Sequence, residues 1–171
     1  MPDGAAMGGE GTARRGGALP RMLASLGGVG FLRPAPGSWG SAVVLPAALL
    51  GPWACLALAG LCAALGWWAL ARLPEAREDP SWVVIDEGAG QSLALAALGS
   101  GLATGVPSGF GAAPGIALAF LLFRLFDITK PGPVGWADRQ KGASGVMLDD
   151  IIAGALAALV ILALRLGGML P

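Results

Sequence analysis

The sequence predicts an all-α, polytopic membrane bundle of about four transmembrane helices plus a short helix near the N-terminus. Three observations predict it. Of 171 residues, 55% are hydrophobic and only 13% are charged, about half the charged share of a soluble domain. The charges are gathered into short clusters between long apolar stretches. One such stretch, Ala42 to Leu70, carries no charge at all, and a helical crossing takes roughly 20 such residues.

Residues 1–29 read as a disordered, basic, glycine-rich tail, and 30–171 as a single membrane domain. The first 20 residues have no apolar period and too little apolar surface to offset the entropy of ordering. The Gly51-Pro52 pair divides the uncharged stretch into a short helix, about 40–50, and a longer one, about 53–72. A polar loop holds Glu75, Arg77, Glu78 and Asp79. A third apolar segment runs from about 83 to 104, and the glycine- and proline-rich 105–114 reads as a loop. A fourth helix is predicted over 114–128, a polar loop over 130–145, and a last helix over 149–167, opening at Asp149-Asp150.

Charge orients these elements. With the first two helices going out and back from the cytoplasm, every basic residue except Arg165 falls on the cytoplasmic half. All 11 acids fall there too, which the positive-inside rule does not require.

Composition also excludes. The chain has no histidine and no tyrosine, so a histidine nucleophile or base is ruled out. A net charge of zero gives no support for a nucleic-acid partner. Cys55 and Cys62 lie in an apolar segment and read as packing residues. A C-x₅-R thiol-phosphatase motif and the D-x-D and D-x₃-D motifs of phosphotransfer enzymes are missing.

What remains is a polar constellation on one membrane surface. Pro36-Gly37-Ser38-Trp39-Gly40-Ser41 opens the first helix and Asp86-Glu87 the third. Arg124, Asp127 and Lys130 end the fourth, Asp138 lies in the loop, and Asp149-Asp150 open the last. One acid at a helix start caps free N–H groups and opposes the dipole; the second acid of each pair is surplus to that role. Four converging carboxylates repel unless cations neutralise them, and an all-oxygen donor set suits Mg²⁺. Arg124 and Lys130 are then candidate phosphate binders, with Ser38 and Gly40 offering a hydroxyl and a close backbone approach.

Four strings, P-G-S-W-G-S (36–41), V-I-D-E-x-x-G-Q (84–91), F-R-L-F-D-I-x-K-P-x-P (123–133) and G-V-M-L-D-D-I-I-A-G (145–154), occur in that order. Together they resemble the phosphatidylglycerophosphatase A family over about residues 30–167. The resemblance implies an all-helical, Mg²⁺-dependent enzyme of the bacterial inner membrane, hydrolysing phosphatidylglycerophosphate to phosphatidylglycerol and phosphate, and the charge pattern puts the site of a multi-pass protein on the cytoplasmic side. Carried over by position, Asp86, Glu87, Asp149 and Asp150 match the family's acidic pairs, and Arg124, Asp127, Lys130 and Asp138 its polar stretch. Ala143 stands where many relatives have a second glycine.

The expected chemistry is in-line attack of water on the phosphomonoester at a site where the four paired acids hold Mg²⁺. Arg124 and Lys130 offset charge on the equatorial oxygens, and Asp127 or Asp138 is general base or orienter. The alternative is an ion-coupled transporter or channel, which calls for carboxylates near the bilayer midplane between broken helices.

Overall fold

A computed structural model describes residues 17–99 and 113–170, and every regular element among them is helical. Helix α1 covers Ala18–Ala24, α2 Pro36–Val43, α3 Pro52–Leu70 and α4 Ile85–Ala96. Helices α5, α6 and α7 cover Ala113–Thr129, Pro133–Asp138 and Ala143–Leu166.

Proline and glycine set most of these starts. Prolines open α2, α3 and α6, where the missing N–H would be unpaired in any case. Gly51 and Gly142 precede α3 and α7 with φ of 107° and 80°, a conformation that favours glycine. The predicted helix over 40–50 is instead α2 followed by a 3₁₀ turn, Leu45–Leu49. Pro46 has no N–H to donate, so the α-helix stops short of it.

Three further departures bear on the site. Residues 18–29, which the sequence places in the tail, hold α1 and the start of a 3₁₀ turn, Val29–Phe31, with Ala24 completely buried. Residues 133–138, assigned to a loop, form α6 because Val134, Gly135 and Ala137 pack inward. The last helix begins at Ala143, not Asp149, so the aspartates sit well inside it and its first turn carries no acid. Capping cannot explain them.

Helix α4 lies at the centre. Nine of its residues are buried, Ile85 and Leu95 among them, because α3, α5 and α7 surround it. Ile85, Leu70, Leu73 and Met147 form the core at one end of the bundle; Cys55, Leu95, Ala119 and Ile161 form it at the other. Both cysteines are free and buried, as packing residues.

The outer surfaces are apolar, with Trp53 and Leu61 on α3, Leu121 and Ile128 on α5, and Leu159 and Leu166 on α7 all exposed. Among the described residues, α3 and α7 are long and apolar enough to cross a membrane. Two of the four expected crossings thus have a helix of sufficient length and apolarity among the described residues: α4 ends at Ala96, α5 has 17 residues, and the predicted 105–114 loop lies almost wholly outside the described residues.

Candidate functional site

Helices α4 and α7 run parallel, and two glycines hold them together. A β-carbon on Gly154 would collide with the backbone of Gly90; one on Gly90 would stand 2.8 Å from the Asp150 carbonyl carbon and 2.6 Å from the Phe123 ring. Only residues without side chains permit this approach. Each glycine follows an acid by four residues, Asp86 and Asp150, so glycine and acid share a helical face.

The close crossing brings the acids together. Asp86, Glu87 and Asp150 each offer a carboxylate oxygen, and these atoms lie within 4.8 Å of one another. Asp86 and Asp150 are 5% and 4% exposed, so water does little to screen their repulsion. Within α4 the Asp86 carboxylate accepts a hydrogen bond from the Glu87 backbone N–H at 3.0 Å. Glu87 Oε2 is buried without a hydrogen-bond partner among the described residues. Converging buried carboxylates with an unsatisfied oxygen, and no histidine or cysteine in the group among the described residues, fit a hard divalent cation such as Mg²⁺.

Asp149 behaves differently from its neighbour. It accepts a hydrogen bond from Lys130 Nζ at 2.8 Å, while its other oxygen, Oδ1, is buried without a hydrogen-bond partner among the described residues. Lys130 also donates to Asp138, tying the end of α5 to α6 and α7 at once. Pro131 cannot continue α5, and Lys130 takes φ +46°, unusual for a residue with a side chain. Its own N–H still closes the last turn, on Phe126 O at 2.9 Å. Partial burial by itself would lower the lysine pKa. The hydrogen bonds and charges of Asp138 and Asp149 outweigh burial and hold it above the ordinary value.

Arg124 lies one turn back on α5, with Nη1 2.6 Å from Asp127 Oδ2 and side chains only 17% and 15% exposed. The first turn of α2 covers this pair. A β-carbon on Gly37 would overlap Glu87 Oε1 and stand 3.2 Å from Arg124 Nη1, so glycine there leaves room for both groups. Gly40, the other glycine of that string, packs on Val84, and Ser38 is half-buried without a hydrogen bond to the acids among the described residues. The glycine beside the charged groups is therefore Gly37.

A cleft of about 270 Å³ opens beside Asp149, lined by Asp79, Asp138, Arg139 and Lys141 among others. In the sequence Asp79 is one acid of a polar loop; only its return to the cleft makes it notable. Gly90 and Gly154 carry one signal in the sequence, the repeated D-x-x-x-G spacing, but their contact appears only in the fold.

Fold and site together define an all-helical protein with a buried carboxylate centre flanked by an arginine and a lysine held in ion pairs, the residue set of a phosphate-handling enzyme. The model of the family described as "Phosphatidylglycerophosphatase A" matches residues 22–165. The chain belongs to the phosphatidylglycerophosphatase A family and is a phosphatase.

Phosphatidylglycerophosphatase A of Haemophilus influenzae is 34% identical over 155 residues, 85% of this chain and 89% of the relative. A Bacteroides thetaiotaomicron protein, named provisionally as a phosphatidylinositol-3-phosphatase, is 36% identical over 159 residues, 86% of this chain and 94% of its own. Phosphatidylglycerophosphatase A of Escherichia coli is 46% identical over 44 residues, 25% of this chain and 26% of the relative. No solved structure matches the chain.

Proposed function

We propose that this enzyme hydrolyses phosphatidylglycerophosphate to phosphatidylglycerol and inorganic phosphate, at the cytoplasmic face of the bacterial inner membrane. The observation that carries the reading is the meeting of Asp86, Glu87 and Asp150 within 4.8 Å, beside Arg124 and Lys130. These acids would hold Mg²⁺, with Asp149 as a fourth acid turned toward Lys130. The bound cation would neutralise their charge and polarise a phosphoryl oxygen.

The chain's own residues do the rest. Arg124, steadied by Asp127, presents its remaining N–H groups to phosphoryl oxygens; Lys130, steadied by Asp138 and Asp149, adds a point charge. Both cations are held before substrate arrives, so charge developing in an in-line displacement meets groups already oriented. Asp138 lines the cleft and its side chain is 42% exposed, which favours it over Asp127 as acceptor of the proton from attacking water.

The apolar outer faces of α3, α5 and α7 support immersion in lipid, and the four-crossing arrangement is part of this proposal. Acids collected at one end of parallel helices favour an enzyme meeting headgroups over a transporter with midplane acids. The Bacteroides relative supports a second substrate reading, a phosphatidylinositol phosphate.

Phosphate release by the purified protein tests both. Release from phosphatidylglycerophosphate is expected with Mg²⁺ and not with EDTA, and to fall at least a hundredfold in Glu87→Gln and Asp150→Asn. Release from phosphatidylinositol 3-phosphate alone would transfer the assignment to the second substrate. Mg²⁺-independent release would overturn the metal reading.

A further inference from the structure

We infer that Gln91 is a positioning residue of the carboxylate site, its side-chain amide orienting the Glu87 carboxylate for the cation. The inference rests on the metal-dependent reading above. Gln91 is completely buried in the central helix, yet neither Oε1 nor Nε2 has a hydrogen-bond partner among the described residues. A buried amide with both ends unpaired is costly, and a leucine or methionine of similar volume would avoid that cost. The amide therefore has a partner in the working enzyme.

The neighbouring unpaired groups identify it. Gln91 follows Glu87 by four residues in α4, which puts the two on one helical face. Glu87 Oε2 is also buried and unpaired, and a carboxylate only accepts while the amide Nε2 donates. The remaining amide oxygen needs a donor, and Arg124 Nε is a buried donor without a hydrogen-bond partner among the described residues. Arg124 and Glu87 already approach one another at Gly37. One primary amide supplies both a donor and an acceptor, so it can link an acid to a guanidinium, directly or through one buried water. A carboxylate ligand held this way keeps its second oxygen from swinging away, and loss of such support typically weakens metal affinity about 10- to 100-fold.

The test is Mn²⁺ binding to the purified full-length protein without substrate, followed by electron paramagnetic resonance. Gln91→Met, which keeps the volume and removes the amide, is expected to raise the Mn²⁺ Kd 10- to 100-fold. Its Tm in EDTA should stay at or above that of wild type, an outcome a merely space-filling role does not predict alongside weaker binding. Gln91→Asn, an amide too short to reach, gives the same shift and serves if the methionine variant misfolds. In a Glu87→Ala background, Gln91→Met should change the Kd less than twofold, because the group it orients is gone. A folded Gln91→Met protein with a Kd within twofold of wild type overturns the inference. Failure of the wild-type chain to bind Mn²⁺ at all instead overturns the metal reading itself, and this inference with it.

Discussion

Gly154 of α7 rests on Gly90 of α4, and a β-carbon on Gly154 would stand 2.8 Å from the Gly90 α-carbon. This contact lies one helical turn beyond Asp86 and Asp150, so it sets how near the two carboxylates come.

Substituting either glycine is accordingly expected to injure the site from a distance. Gly154→Ala forces the helices apart, costing about 1–3 kcal/mol as overpacking does, and phosphate release should fall at least tenfold. A β-carbon on Gly60 of α3 would meet nothing within 4 Å, so Gly60→Ala should leave activity unchanged and gain about 0.5–1 kcal/mol. Thermal denaturation in detergent, with turnover measured on the same samples, checks both.

The repulsion among Asp86, Glu87 and Asp150 predicts that a cation stabilises the fold. Mg²⁺ at a hundred times its Kd should add about 2.7 kcal/mol to wild-type stability, and EDTA should remove it. Asp150→Asn relieves the repulsion without metal, so this variant should be more stable than wild type in EDTA and gain little from Mg²⁺. An Asp150→Asn protein that responds to Mg²⁺ as wild type does contradicts the assigned ligand.

The Arg124–Asp127 pair is mostly buried, so its members should depend on each other. Removing one partner of a buried pair costs about 3–5 kcal/mol, whereas removing both is far milder. Arg124→Leu alone should therefore destabilise more than Arg124→Leu with Asp127→Leu, while both proteins lose turnover. A double-mutant cycle by chemical denaturation measures the coupling, and strict additivity would deny it.

Lys130 and Lys141 are the chain's two lysines, and the second is exposed, giving an internal reference. Amine-directed acylation needs the neutral form, so Lys130, with its raised pKa, should label more slowly at pH 9. Because the folded value lies above the unfolded 10.5, the stabilising effect of its ion pairs is complete below that pH. It is lost as pH climbs through the folded value. Mass spectrometry of labelled peptides reads the first expectation, and alkaline unfolding of Lys130→Met against wild type reads the second.

Much of this enzyme was legible in the chain. Apolar stretches marked α3, α5 and α7, proline and glycine marked where helices begin, and the absence of histidine and tyrosine narrowed the chemistry to carboxylates, arginine and lysine. The grouping of Asp86, Glu87, Arg124, Asp127, Lys130, Asp138, Asp149 and Asp150 at one end of the bundle was also legible, because all but Asp138 adjoin an apolar helix on the same predicted side and Asp138 lies in the predicted loop between two of them.

Composition and local periodicity decided which residue types are available and which end of the bundle they occupy, because those properties depend only on near neighbours in the chain. Tertiary structure alone decided that Asp150 joins Asp86 and Glu87 while Asp149, one residue away, turns to Lys130. It also decided that α7 starts at Ala143, which carries the aspartates out of reach of capping, and that Gly37 rather than Gly40 faces Glu87. Adjacent residues on a helix point about 100° apart, so their partners depend on where neighbouring helices cross. Here that crossing is set by two glycines far apart in sequence, Gly90 and Gly154, which touch only after the helices pack.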